Sequence, residues 1–204
     1  MPHYKLIYFN IRARAEPARL IFHQAGVPFE DYRLKDGEWP GSLKANMPMG
    51  QVPVLEVDGK KLCQSMTINR YLARQFKLAG KDDWEAAECD MLADGVSDLF
   101  VKFVPWFREK DETKKREILE EIKKEHVVPF LERYDNFLAK NGTGWFIGDS
   151  VTWLDLLMFT VEERQAQLFP ELLGNYPKIE AHHKKVGELP NIKKYLETRP
   201  KTVL

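Results

Sequence analysis

The sequence predicts an α/β domain followed by an all-helical one, on three observations. About 77 N-terminal residues run in the order strand, helix, strand, strand, strand, helix, which builds a small mixed sheet covered by helices. A tight-turn dipeptide, Asp58-Gly59, joins two of those strands as a hairpin. Beyond the short, increasingly polar stretch Leu78-Ala79-Gly80-Lys81-Asp82-Asp83, no segment of any length alternates as a strand does. That break divides the 204 residues into 1–79 and 80–204.

Tyr4-Lys5-Leu6-Ile7-Tyr8-Phe9 is dense in aromatic and branched residues, as a strand buried on both faces is, and Tyr8 falls near its C-terminal end. After Asn10 to Ala15, Glu16 and Pro17 open a helix that closes at Gly26. Glu30 to Leu34 reads as the second strand, and Gly37, Pro40, Gly41 and Pro48 mark a loop. Val52 to Val57 and Lys60 to Gln64 are the hairpin strands, since Asp-Gly tolerates the positive φ of a two-residue turn. Ser65 caps the next helix, where Ile68, Tyr71, Leu72 and Phe76 repeat at helical spacing. In the helical part, Phe130, Leu131, Tyr134, Phe137 and Leu138 form one apolar stripe. Thr152, with Asp155 three residues on, has the form of a capping box, flanked by Val151 and Leu156 as a hydrophobic staple.

Composition narrows the function. Apolar residues at 44% and charged residues at 30% are those of a folded globular protein. The 31 basic and 31 acidic residues cancel, so no global field draws the chain to nucleic acid or to an anionic membrane, and small neutral or zwitterionic ligands remain open. Cys63 and Cys89 read as two reduced thiols. The opening residues lack the pattern of a signal peptide and no stretch approaches the roughly 18 apolar residues of a membrane span, so a cytoplasmic location is expected. Glu109 to Glu125 reads as an exposed helix of mixed charge, with Glu120 four residues before Lys124. His182 and His183 point about 100° apart on a helix, cannot pair on a zinc ion, and are expected at the surface. Without CxxC, P-loop, GxGxxG or GxSxG, dithiol, nucleotide and serine-hydrolase chemistry have no residue support.

Two local features point to a ligand. Val52-Pro53 joins a loop to a buried strand, where proline marks an edge or holds a cis bond that presents backbone groups. Gln64-Ser65 stands at a helix start, where free N–H groups and the helix dipole favour a carboxylate. Together they suit an extended, peptide-like ligand. With Tyr4 to Tyr8, Gly50-Gln51-Val52-Pro53-Val54-Leu55, Asp58-Gly59, Gln64-Ser65 and Gly148-Asp149-Ser150-Val151-Thr152-Trp153-Leu154-Asp155, the whole chain resembles cytosolic glutathione S-transferases. Tyr8-Phe9-Asn10, Arg14-Ala15-Glu16 and Trp39-Pro40 are similar to the sigma class, which includes invertebrate transferases and haematopoietic prostaglandin D synthase.

The resemblance implies a thioredoxin-like N-terminal domain with a cis Pro53, an all-helical C-terminal domain and a homodimer, with glutathione as co-substrate and no cofactor. It makes Tyr8 the catalytic hydroxyl. Gln51 and Val52 beside Pro53 then meet the cysteinyl backbone, Gln64 and Ser65 the γ-glutamyl carboxylate, and Trp39 and Lys44 the glycine end. Asp98 would reach across the dimer to the γ-glutamyl ammonium. Arg14 has two readings, a donor toward the tyrosine oxygen or the sulfur, and a surface ion-pair partner of Glu16. Small hydrophobic electrophiles would occupy a pocket of Ile11, Ala13, Phe100, Trp106 and Leu204, with Ala13 standing where sigma relatives often have glycine. Aromatics at Phe103, Trp106 and Phe107 are alternatively core.

Three other roles fit a chain of this kind. One is a structural protein like the S-crystallins, against which the full set of Tyr8, Gln51, Pro53, Gln64, Ser65 and Asp98 speaks. Another is a carrier of haem or other hydrophobic compounds. The third is prostaglandin D synthase activity. The vertebrate synthase, however, has three acids for a divalent cation where this chain has Asp94, Ser97 and Asp98, so no metal requirement is expected.

Overall fold

The computed structural model describes residues 2–202. Strand β1 (Tyr4–Phe9) leads through a short 3₁₀ turn into helix α1 (Glu16–Ala25), and Gly26 ends that helix with the left-handed φ of 66° that glycine adopts without strain. Then come β2 (Glu30–Leu34), α2 (Gly41–Ala45), β3 (Val54–Val57), β4 (Lys60–Cys63) and α3 (Ser65–Gln75). The sheet has the order β2-β1-β3-β4, with β1 parallel to β2 and antiparallel to β3, and β3 antiparallel to β4. The crossover through α1 allows the parallel pair. Asp58 and Gly59 both take positive φ, 48° and 81°, as a two-residue hairpin turn requires.

The fold differs from the sequence reading at the third loop and at the start of α3. Residues 41–45 form a short helix rather than open loop, because Lys44 N–H bonds back to Pro40 and Leu43 packs beside Ile7, Leu34 and Met47. Ser65 is the first residue of α3 rather than its cap. Gln64, at φ 73°, occupies the cap position and makes no side-chain bond to the helix end.

Central in the sheet, β1 buries both faces. Tyr4, Leu6 and Tyr8 face the main core with α1 and α3, whereas Ile7 faces a small second cluster with Leu34, Met47 and Val54. The rest is helical: α4 (Asp83–Lys102), α5 (Val104–Arg108), α6 (Glu112–Ile122), a π-type turn over Lys123–Val127, α7 (Val128–Asn141), α8 (Trp153–Leu168), α9 (Pro177–Gly187) and α10 (Pro190–Thr198). Helix α8 is the axis of this part, with Trp153, Leu154, Leu156, Leu157, Met158 and Phe159 all buried. Helix α1 packs on α3, α8 and α10, so the two parts share one core. No helix among the described residues is long and apolar enough to cross a membrane.

The capping box at the start of α8 forms as the sequence indicates, with Asp155 accepting from Thr152 N–H at 2.7 Å. His182 overturns an expectation. It is buried rather than at the surface, with Nδ1 2.8 Å from Glu162 and Nε2 3.2 Å from Asp155. Burial disfavours its charge, but the Glu162 and Asp155 carboxylates prevail and raise its pKa to about 9. Lys124 pairs with Glu125 and Glu120 with Lys123, so the Glu120–Lys124 pair does not form. Both cysteines are free, and burial pushes the Cys89 thiol up to about 12, leaving it inert.

Candidate functional site

Tyr8 ends the apolar face of β1 at the floor of a cleft of about 330 Å³ between the sheet domain and the helices. Only 6% exposed, it packs edge-on to Phe9 with ring centroids 5.4 Å apart. Burial raises its pKa, against the opposing pull of the facing Arg14 backbone N–H and of the Arg14 and Arg19 charges. The phenol is therefore neutral at physiological pH and available as a hydrogen-bond donor.

The loop after β1 is fixed from behind by charge. Arg19, fully buried on α1, donates to the Ile11 carbonyl at 2.8 Å and pairs with Glu16 at 3.1 Å and Asp31 at 3.0 Å. Glu16 also accepts from Tyr195 and Arg199, each at 3.0 Å, which ties the loop to α10. The Glu16 carboxylate is thus engaged by Arg19, Tyr195 and Arg199 rather than by Arg14, whose side chain is exposed at the cleft. Ala13 takes φ 35°, a left-handed value that glycine would adopt with less strain.

Of the expected electrophile pocket, Ile11, Ala13 and Phe100 line the cleft together with Tyr8 and Arg14. Trp106 does not line it; Val104 and Phe107 do, being three residues apart and on one face of α5, while Trp106 projects from another face. Phe103 is core, packed edge-on to Trp106. Leu204 lies outside the described residues. The sequence reading missed the helical wall contributed by Thr160, Glu163, Arg164 and Gln167. Its signal was present: positions i, i+3, i+4 and i+7 make a polar stripe on a helix otherwise rich in core residues.

The other expected positions border the sheet. Trp39 precedes a cis Pro40 and packs edge-on to Phe9 at 5.8 Å. Lys44, on α2, is exposed, and its stem lies close to Gly50, where an added Cβ would stand 3.6 Å from its Cε. Val52–Pro53 is cis, as the resemblance implies. The β3–β4 register ends at Val54, so Val52 falls beyond the ladder, and its N–H and C=O have no backbone partner among the described residues. Gln51 is exposed next to it. At the start of α3, Gln64 donates to the Met49 sulfur at 3.3 Å, and the first helical bond is made by Ile68 N–H. The N–H groups of Ser65, Met66 and Thr67 are left at the positive end of the helix dipole.

Arg70 connects α3 to α4 through ion pairs with Asp90 and Asp94. One turn beyond Asp94, Asp98 is exposed on α4. Ser97 donates to the Ala93 carbonyl at 3.2 Å.

Residues 4–74 match the family model for the glutathione S-transferase N-terminal domain, and residues 97–199 that for the C-terminal domain. The chain is 46% identical to glutathione S-transferase 1 of Ascaris suum over 99% of each chain, and 39% identical to hematopoietic prostaglandin D synthase of Gallus gallus over the full length of both. It superposes on the crystal structure of the glutathione S-transferase from Ascaris lumbricoides with a TM-score of 0.89 and 44% identity, covering 98% of this chain and 99% of the other.

Proposed function

The chain belongs to the glutathione S-transferase family and is a glutathione transferase, and from that premise we propose that Tyr8 holds the thiol of bound glutathione as a thiolate facing the cleft. Free, that thiol has a pKa near the cysteine value of about 8.5, so only a few per cent is ionised at neutral pH. A neutral phenol donating to the thiolate contributes roughly 1.5–3 kcal/mol, or about one to two pKa units. The observation that carries this role is the buried, neutral Tyr8 at the cleft floor, with the Arg14 N–H facing its oxygen and the phenolic hydrogen free to turn to sulfur. The thiolate then attacks the electrophilic carbon; with an aryl halide a C–S bond forms, the C–halogen bond breaks and halide leaves. Ile11, Ala13, Phe100, Val104 and Phe107 hold the apolar body, and Arg14 favours the anion through its backbone and charge.

The tripeptide runs from Trp39 and Lys44 at its glycine end, past Gln51 and the unpaired backbone of Val52 beside Pro53, to Gln64, Ser65 and the α3 N-terminus at its γ-glutamyl carboxylate. Asp98 of one protomer meets the ammonium of glutathione bound to its partner in a homodimer. The exposure of Asp98 supports that role. The units are 1–79 for glutathione and 80–204 for most of the electrophile wall, the class is sigma and the location cytoplasmic. A structure of the glutathione complex tests the pose: hydrogen bonds to Val52 and Ser65 are expected, and a tripeptide beyond reach of both overturns it.

Prostaglandin D synthase activity is a second reading, supported by the full-length likeness to the Gallus gallus enzyme. Turnover of a panel of aryl halides, unsaturated aldehydes, hydroperoxides and a prostaglandin endoperoxide separates the two, since conjugation without isomerisation removes the second.

A further inference from the structure

The cleft contains a partly buried cation that no carboxylate among the described residues balances. Arg164, on α8, sits among aromatic rings, its guanidinium carbon 4.7 Å from the Phe103 centroid, 5.0 Å from Phe107 and 5.9 Å from Phe100. Its Nε and Nη2 atoms are buried and have no hydrogen-bond partner among the described residues. The ring faces stabilise the charge without accepting its N–H bonds in the guanidinium plane. Burial lowers its pKa to about 10, which leaves it cationic at neutral pH.

The carboxylates on the cleft wall are already committed. Glu16 is held by Arg19, Tyr195 and Arg199, and Glu163 by Arg12 and Arg199. Arg12 spends a second nitrogen on Gln167 at 3.2 Å, and the Thr160 hydroxyl donates to the Leu157 carbonyl at 2.7 Å. Arg12 leaves only its Nε unpaired, whereas Arg164, partly buried, has no acceptor or carboxylate partner among the described residues, and an unsatisfied charged donor in an apolar surround is costly. A ligand carrying an anionic oxygen pair removes that cost, because the planar guanidinium fork matches a carboxylate.

We propose that Arg164 forms a subsite for the carboxylate of amphipathic acids, so that the ligands and electrophiles this cleft prefers combine an apolar body with a carboxylate. The body lies against Ile11, Phe100 and Val104, and the carboxylate on Arg164. The inference rests on the reading of the cleft as the electrophile site.

Calorimetric binding of naphthalene-2-carboxylate and of its neutral analogue naphthalene-2-carboxamide to the glutathione-saturated protein tests it. The acid is expected to bind roughly ten- to a hundredfold more tightly than the amide. Arg164→Met should abolish that preference and leave amide affinity within about twofold, Arg164→Lys should retain part of it, and Arg164→Gln serves should the methionine variant not fold. Equal affinity of acid and amide in the unmodified protein, or a preference surviving in Arg164→Met or Arg164→Gln, overturns the proposal. Turnover of an uncharged aryl halide in the same samples separates the two readings. Conjugation without a carboxylate preference sinks the subsite alone, whereas the preference without glutathione-dependent turnover upholds the subsite and sinks the catalytic reading.

Discussion

Removing the Asp155 carboxylate should strongly destabilise the helical domain. Asp155 is fully buried and serves four groups: Phe146 N–H at 3.0 Å, Thr152 N–H at 2.7 Å, the Thr152 hydroxyl at 2.8 Å and His182 at 3.2 Å. In Asp155→Ala two backbone N–H groups lose their acceptor in a dry core, at about 1–3 kcal/mol each, and the imidazolium keeps only Glu162. These losses are not additive, and the value for breaking one side of a buried charged pair, roughly 3–5 kcal/mol, is the expected total. Asp155→Asn should also lose stability, since its amide NH₂ would face one of the donors. Urea unfolding at pH 7 and fixed protein concentration reads this as a fall in midpoint at unchanged slope. A loss under about 1 kcal/mol for Asp155→Ala would refute the reasoning.

Because the folded-state pKa of His182 is raised from 6.5 to about 9, its contribution is fully present below about pH 6.5 and is lost as pH rises through about 9. The stability change across that window has an upper bound of roughly 3 kcal/mol, and unfolding midpoints from pH 6 to 10 should slope downward in the unmodified protein and flatten in His182→Gln; equal slopes would contradict the buried imidazolium. Asp98→Ala should weaken glutathione binding several-fold, with a smaller effect on turnover of the bound complex, and unchanged affinity would remove the cross-subunit role.

Much of this architecture was legible because its signals are local. The strand of Tyr4 to Phe9, the helix opened by Glu16-Pro17 and closed by Gly26, the Asp58-Gly59 turn and the Thr152/Asp155 box each depend on residues a few positions apart, and each forms. What was missed depends on partners distant in sequence. For His182 the divergence from His183 along a helix argues only against a shared zinc ion, whereas Asp155 and Glu162, which make its burial tolerable, lie 27 and 20 residues away. Helix α2 escaped because Pro40 and Gly41 argue for a loop and only the packing of Leu43 argues otherwise. At the site, Tyr8, Val52 and Ser65 stood out by position and resemblance. The polar stripe of α8 is visible in the sequence but carries no chemistry until the fold brings it to the same cleft as Tyr8. Arg164 could not be distinguished from a surface arginine until its aromatic surround was known.

The measurement closest to the central claim is the pH titration of thiolate ultraviolet absorbance for bound glutathione, in the unmodified protein and in Tyr8→Phe. The substitution deletes one hydroxyl and keeps the ring that packs beside Phe9. The bound thiol's pKa should rise by about one to two units and turnover at neutral pH fall roughly ten- to a hundredfold, with a smaller change in glutathione affinity. Coincident titrations would contradict the account, make Tyr8 a structural tyrosine, and shift the search for the activating group to Arg14.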